Sequence, residues 1–67
     1  MKPELFGQKL KHIRLTLGQT QQLSANKIGI TVSALSQIET GKRNPNLTTI
    51  CKILEAYGLS FEMMVKP

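Results

Sequence analysis

The sequence contains no tryptophan and no aspartate, and Cys51 is its only cysteine. A single cysteine cannot form an intramolecular disulfide, and we interpret Cys51 as a small core residue in a reducing compartment. His12 is the only histidine, and no paired carboxylates, nucleophile–base pair, metal-ligand cluster or glycine-rich phosphate loop accompanies it. We therefore expect no enzyme activity, no cofactor and no metal site.

Long hydrophobic runs are also missing from the sequence. No apolar stretch approaches the roughly 18 residues that a membrane-spanning helix needs, and no signal-peptide pattern opens the sequence. We therefore expect a cytoplasmic protein with no membrane partner.

The 67 residues are enough for one small domain. A chain of this size buries only about 60% of its unfolded surface, so well-packed helices or oligomerisation must stabilise it.

The charge that is present is mainly positive. Nine Lys and Arg against four acidic residues give a formal net charge of +5. This excess favours an anionic partner such as nucleic acid, although the positions of the charges matter more than their sum.

Apolar spacing and capping residues predict four helices. The first runs over residues 3–17, with an apolar stripe at spacings of three and four residues that consists of Phe6, Leu10, Ile13 and Leu17. The other three are expected over residues 21–28, 32–40 and 47–57, preceded by the N-cap residues Thr20, Thr31 and Asn46. The apolar stripe predicted for the fourth helix contains Leu47, Ile50, Ile53 or Leu54, and Tyr57.

The third predicted helix has an unusual polar side. Leu35 and Ile38 fall on one side, and the opposite side carries no charge, whereas a merely solvated helix usually carries Lys and Glu there. We define the outer face of this helix as Val32, Ser33, Ser36 and Gln37. Its hydroxyl and amide groups can bond to base edges, and the basic loop "KRNPN" that follows can neutralise phosphates. Two short helices joined by a glycine-containing turn predict a helix-turn-helix that contacts DNA.

The C-terminal segment alternates apolar and polar residues. In "LSFEMMVKP", Leu59, Phe61, Met63 and Val65 recur at every second position, which favours a β-strand, with a fifth short helix as the alternative. Because a lone strand leaves its backbone groups unpaired, we expect the strand to pair with that of a second copy. The predicted fold is thus an all-α four-helix domain over residues 1–58 and a dimerisation strand over residues 59–67.

Residues 10–60 carry an ordered set of motifs. "TQQLSANKIGI", "ETGKRNPNL" and "ILEAYGLS" resemble the signatures of the lambda-repressor/Cro-like (XRE) helix-turn-helix family. The resemblance implies a sequence-specific repressor that binds double-stranded operator DNA as a homodimer. The alternative that we keep open is a helix-turn-helix adaptor that binds a protein and has lost DNA binding.

The resemblance also assigns roles to individual residues. It implies DNA contacts for the start of the second helix, the third helix and the loop after it, at Thr20, Gln21, Thr31, Val32, Ser33, Ser36, Gln37, Lys42, Arg43 and Asn44. It implies a charged pair between Arg14 and Glu39 that ties the first helix to the end of the third.

Two positions depart from the family pattern. Ser24 stands where the family has an apolar residue, so either the core is filled from elsewhere or Leu23 is exposed and meets a partner. Thr40 replaces the usual Asn, which leaves a helix-ending interaction in question.

The predicted strand directly after the fourth helix is similar to the one in HipB-like antitoxins. This resemblance implies a HipA-like kinase-fold toxin as a further partner. For the dimer interface we expect Leu59, Phe61, Met63 and Val65.

Overall fold

The structure is a computed structural model that describes residues 3–65. This part of the chain contains five α-helices. In chain order they are α1 (Pro3–Thr16), α2 (Gln21–Ile28), α3 (Val32–Glu39), α4 (Leu47–Tyr57) and α5 (Phe61–Val65). The predicted all-α domain is confirmed, and α1 to α4 all begin at the predicted residues. Within residues 3–65, no helix is both long and apolar enough to cross a membrane.

Side-chain caps fix where three of these helices begin. The side-chain oxygens of Thr20, Thr31 and Asn46 each accept a hydrogen bond from the backbone N–H three residues further on, at distances of 3.1, 3.0 and 2.9 Å. Each bond satisfies a backbone donor that has no partner inside the helix. The caps therefore fix the first residues of α2, α3 and α4.

All five helices contribute to one apolar core. Its buried members are Phe6, Leu10, Ala25, Ile28, Leu35, Ile38, Ile50, Ile53 and Met64. Three predicted core residues are instead exposed: Leu17 lies beyond the end of α1, and Leu47 and Cys51 lie off the buried side of α4. For Cys51 the reason is geometric, because successive residues of a helix point about 100° apart and Ile50 and Ile53 occupy the inner side.

Gly7 allows α1 to lie unusually close to α3. It is buried, and a Cβ atom at this position would overlap the carbonyl oxygen of Ile38 and lie 3.1 Å from the carbonyl carbon of Glu39. Only a residue without a side chain fits between these two backbones. The position of α3 against the core therefore depends on this glycine, which the apolar pattern did not single out.

The predicted C-terminal strand is wrong. Residues 61–65 form α5, no β-strand occurs within residues 3–65, and the pairing of two such strands has no basis here. Met64 is buried in the core, whereas Phe61 and Met63 are 48% and 60% exposed. A helix satisfies its own backbone groups, so the segment needs no second strand once Met64 packs against the core. Leu59 is half-buried, and the side chain of Val65 lies outside the described part.

Candidate nucleic-acid interface

The turn between α2 and α3 has the compact form of a helix-turn-helix. Gly29 has φ 90°, in the left-handed region that favours glycine. The backbone N–H groups of Gly29 and Ile30 both donate to the carbonyl oxygen of Ala25, at 2.8 and 3.0 Å. Thr31 then caps α3, so that three residues reverse the chain and place two short helices against one another.

The outer face of α3 combines exposed polar groups with one apolar side chain. Ser33 and Gln37 are exposed and lie one helical turn apart, while Val32 and Ser36 are half-buried. The only charged residue of α3 is Glu39, and it is buried. The outer face therefore presents hydrogen-bonding groups and methyl groups to solvent without a formal charge.

The turn after α3 holds two cations close to the end of that helix. The hydroxyl of Thr40 donates to the carbonyl oxygens of Ser36 and Gln37 at 3.0 and 3.2 Å, and supplies a helix-ending interaction of its own. The backbone N–H groups of Lys42 and Arg43 both donate to the carbonyl oxygen of Gln37, at 2.9 and 3.1 Å. Both side chains are exposed, which brings positive charge within a turn of the outer face.

A buried ion pair joins α1 to the end of α3. Arg14 Nε lies 2.7 Å from Glu39 Oε2, Arg14 Nη2 lies 3.0 Å from Glu39 Oε1, and the two side chains are only 8% and 2% exposed. Gln19 accepts a further bond from Arg14 through its carbonyl oxygen at 2.9 Å. The hydrogen bonds that Arg14 donates to Glu39 raise the pKa of Arg14 against the opposing effect of burial. The bidentate geometry fixes α3 in rotation as well as in position.

Gln21 connects α2 to the same carboxylate. Its side-chain N–H donates to Glu39 Oε1 at 3.1 Å, so its amide braces the end of α3. The ten residues assigned to DNA contact fall into three segments. Thr20 and Gln21 lie at the start of α2; Thr31 caps α3, and Val32, Ser33, Ser36 and Gln37 lie on it; Lys42, Arg43 and Asn44 lie in the turn after α3. Glu39 links the first of these segments to the second.

A second polar cluster lies between α2 and α4, and sequence reasoning missed it. The hydroxyl of Tyr57 donates to Gln19 Oε1 at 2.8 Å and, having a single proton, accepts its bond from the buried hydroxyl of Ser24. Lys27 Nζ lies 5.1 Å from the centre of the Tyr57 ring. The hydroxyl of Tyr57 thus satisfies the polar residue at the family's apolar position, and Leu23 is 54% exposed. The serine was a signal that a polar partner was needed, but nothing in the spacing identified Tyr57.

One of the residues assigned to the dimer interface lies in a surface groove. Met63 lines a groove of about 480 Å³ between α1 and α5, together with Leu5, Gln8, Lys9, His12 and Ile13. None of these residues belongs to the set assigned to DNA contact. Among residues 3–65, no three His, Cys or Glu side chains lie close enough to hold a metal ion.

Comparisons with known proteins agree on one family. A family model described as helix-turn-helix matches residues 10–63. The HTH-type transcriptional regulator PuuR of Escherichia coli is 43% identical over 54 residues, which are 81% of this chain and 29% of that protein. The SPbeta prophage-derived uncharacterized HTH-type transcriptional regulator YonR of Bacillus subtilis is 36% identical over 62 residues, 92% of this chain and 57% of that protein.

A third relative carries a different name. The Antitoxin HipB of Escherichia coli is 36% identical over 61 residues, covering 91% of this chain and 69% of that protein. No solved structure matches the chain at the significance that these relatives reach.

Proposed function

This chain belongs to the lambda-repressor/Cro-like helix-turn-helix family of transcriptional regulators, and we propose that it is a sequence-specific repressor that binds double-stranded operator DNA. The observation that carries the proposal is the uncharged, exposed outer face of α3, which is followed within a turn by Lys42 and Arg43. Such a repressor would act in the cytoplasm.

The two parts of this surface have different tasks. Phosphate contacts supply most of the affinity and do not depend on sequence, whereas base-edge contacts in the major groove supply the discrimination. Exposed Lys42 and Arg43 suit the first task, because within residues 3–65 no carboxylate forms an ion pair with either of them. Ser33 and Gln37 suit the second, because their groups project from a helix that is held by buried contacts.

Replacing Gln37 and Arg43 separately by Ala tests this division. We expect Gln37→Ala to weaken operator binding by about 1–3 kcal/mol and to leave binding to random DNA nearly unchanged. Arg43→Ala should weaken binding to both DNAs and reduce the slope of log K against log salt by about one. Fluorescence anisotropy at several salt concentrations measures both quantities.

The control is Gln22→Ala, which removes an exposed glutamine of α2 that belongs neither to the set assigned to DNA contact nor to the groove at α5. It should leave both affinities unchanged. Equal losses on operator and random DNA for Gln37→Ala would remove this residue from base recognition, and no salt dependence at all would favour the protein-binding adaptor.

We further propose that the repressor is a homodimer on a two-fold symmetric operator, with half-sites about one helical turn apart or a multiple of that distance. Support comes from the apolar surface of the C-terminal part, where exposed Phe61 and Met63 lie on α5 and exposed Leu5 lies across the groove on α1. Replacing both Phe61 and Met63 by Ser should therefore yield monomers in sedimentation velocity and reduce operator affinity. A double variant that remains dimeric would exclude α5 as the dimer element.

An antitoxin role is the second candidate. The relative named Antitoxin HipB favours it, and a HipA-like kinase-fold toxin would then be a further partner. The exposed Leu23 on α2 offers an apolar contact outside the set assigned to DNA. A stable complex with a kinase-fold protein encoded beside this chain would support the antitoxin role over a free-standing repressor.

A further inference from the structure

We infer that the outer face of α3 selects A·T base pairs, with adenine at the base that Gln37 contacts and a thymine methyl against Val32. This inference rests on the proposed function, because it concerns the DNA that the same surface binds. It goes further by naming the kind of operator that the surface can distinguish.

The side chain of Gln37 is available for base contact. It is exposed, and within residues 3–65 its amide makes no hydrogen bond, although its backbone carbonyl oxygen accepts bonds from the turn after α3. Two other glutamines already use their amides in hydrogen bonds within the protein: Gln21 donates to Glu39, and Gln22 donates to Asn26. Gln37 can therefore use its N–H and its oxygen together without breaking a contact in the protein.

The chemistry of an amide matches adenine better than guanine. In the major groove adenine presents an acceptor at N7 and a donor at N6, which pair with the N–H and the oxygen of a glutamine. Guanine presents two acceptors, N7 and O6, which suit the two donors of an arginine or the ammonium group of a lysine. Gln37 opposite guanine would place its oxygen against an acceptor.

No residue of α3 carries the cationic side chain that commonly pairs with both acceptors of guanine. The helix contains neither Lys nor Arg, and its only charged residue, Glu39, is held in the core by Arg14 and Gln21. Arg43 is the cation to consider, but this residue lines a concavity of about 130 Å³ between α3 and the start of α4, together with Asn46 and Thr49. That position suits a phosphate contact near the N-terminus of α4.

Val32 adds a contact that also favours A·T base pairs. It stands first in α3 and is half-buried, so that part of the side chain packs against the core and the rest is open. An apolar side chain at the start of this helix can touch the C5 methyl group of thymine, which no other base offers. Ser33 can bond to either kind of base pair and is expected to discriminate little.

The test is selection of binding sites from a random duplex library by the purified full chain, followed by anisotropy on single-base variants of the selected site. We expect one position per half-site at which A·T exceeds G·C in affinity by roughly 5- to 150-fold. Gln37→Ala should remove the preference at that position alone. Gln37→Arg should change it to G·C, and Gln22→Ala should leave every position unchanged.

Two results would overturn the inference while leaving the proposed function standing. One is a selected site in which the position that responds to Gln37→Ala is a G·C pair. The other is a preference for G·C that disappears in Arg43→Ala, because it would place a cation at the base edges. If the library yields no site bound more tightly than random DNA, the proposed function fails, and the inference fails with it.

Discussion

Replacing Glu39 by Ala is expected to lower the free energy of unfolding by about 3–5 kcal/mol, because it leaves the charge of Arg14 buried without a carboxylate. The same change removes the acceptor of Gln21, so a second buried contact is lost. Small domains are stable by only about 5–15 kcal/mol, and this loss would leave much of the protein unfolded. DNA binding should therefore decline through unfolding rather than through a lost contact.

Urea denaturation followed by circular dichroism measures this loss. Glu55→Ala is the matched control, because it removes an exposed glutamate of α4 and should change stability by no more than about 0.5 kcal/mol. Since Glu39 raises the pKa of Arg14, the stabilisation linked to the charge of Arg14 is fully present below the ordinary pKa of arginine and is lost only as pH rises through the raised pKa. An unchanged unfolding midpoint for Glu39→Ala would show that the pair is worth no more than an exposed one.

Replacing Gly7 by Ala is expected to destabilise the domain by about 1–3 kcal/mol or more, although alanine is the better helix former. At an exposed helix position this change stabilises by about 1 kcal/mol. At Gly7 the new Cβ overlaps the backbone of Ile38, which cannot move aside as a flexible side chain can. The helix α1 must shift away from α3, and the contacts of Phe6 and Leu10 in the core loosen with it.

The test is whether Gly7→Ala lowers or raises the stability of the domain. Gln8→Ala, at the exposed neighbouring position of the same helix, should alter stability little. A melting temperature for Gly7→Ala equal to or above that of the parent would show that α1 can move away from α3 without loss. We expect the opposite, together with weaker DNA binding because α3 loses its support.

The first residues of α2, α3 and α4 could be predicted because local chemistry determines them. Thr20, Thr31 and Asn46 each bond to a backbone N–H three residues away, and such caps act without help from the rest of the fold. The charged pair of Arg14 and Glu39 joins residues 25 positions apart. Its assignment came from the family resemblance, since no local pattern reveals it.

The features that were missed depend on packing between helices. The alternating pattern of the C-terminal segment grouped Met63 with the apolar face of a strand and left Met64 on the opposite face. In the structure α5 packs Met64 into the core and leaves Met63 exposed. The bond between Ser24 and Tyr57 joins residues 33 positions apart, and the close approach at Gly7 involves only backbone atoms of α3. Spacing along one helix cannot predict contacts that arise only when two helices meet.

The measurement that most directly tests DNA binding by this surface is a titration of the ¹⁵N-labelled protein with duplex DNA, followed by amide chemical shifts. A random duplex suffices, because phosphate contacts do not require a specific sequence. We expect the largest shifts at Gln21, along the outer face of α3 and at Lys42 and Arg43, and these shifts should diminish as salt is raised. Shifts confined to the groove between α1 and α5, around His12 and Met63, or no shifts at all, would contradict the proposal that this chain binds DNA through α3.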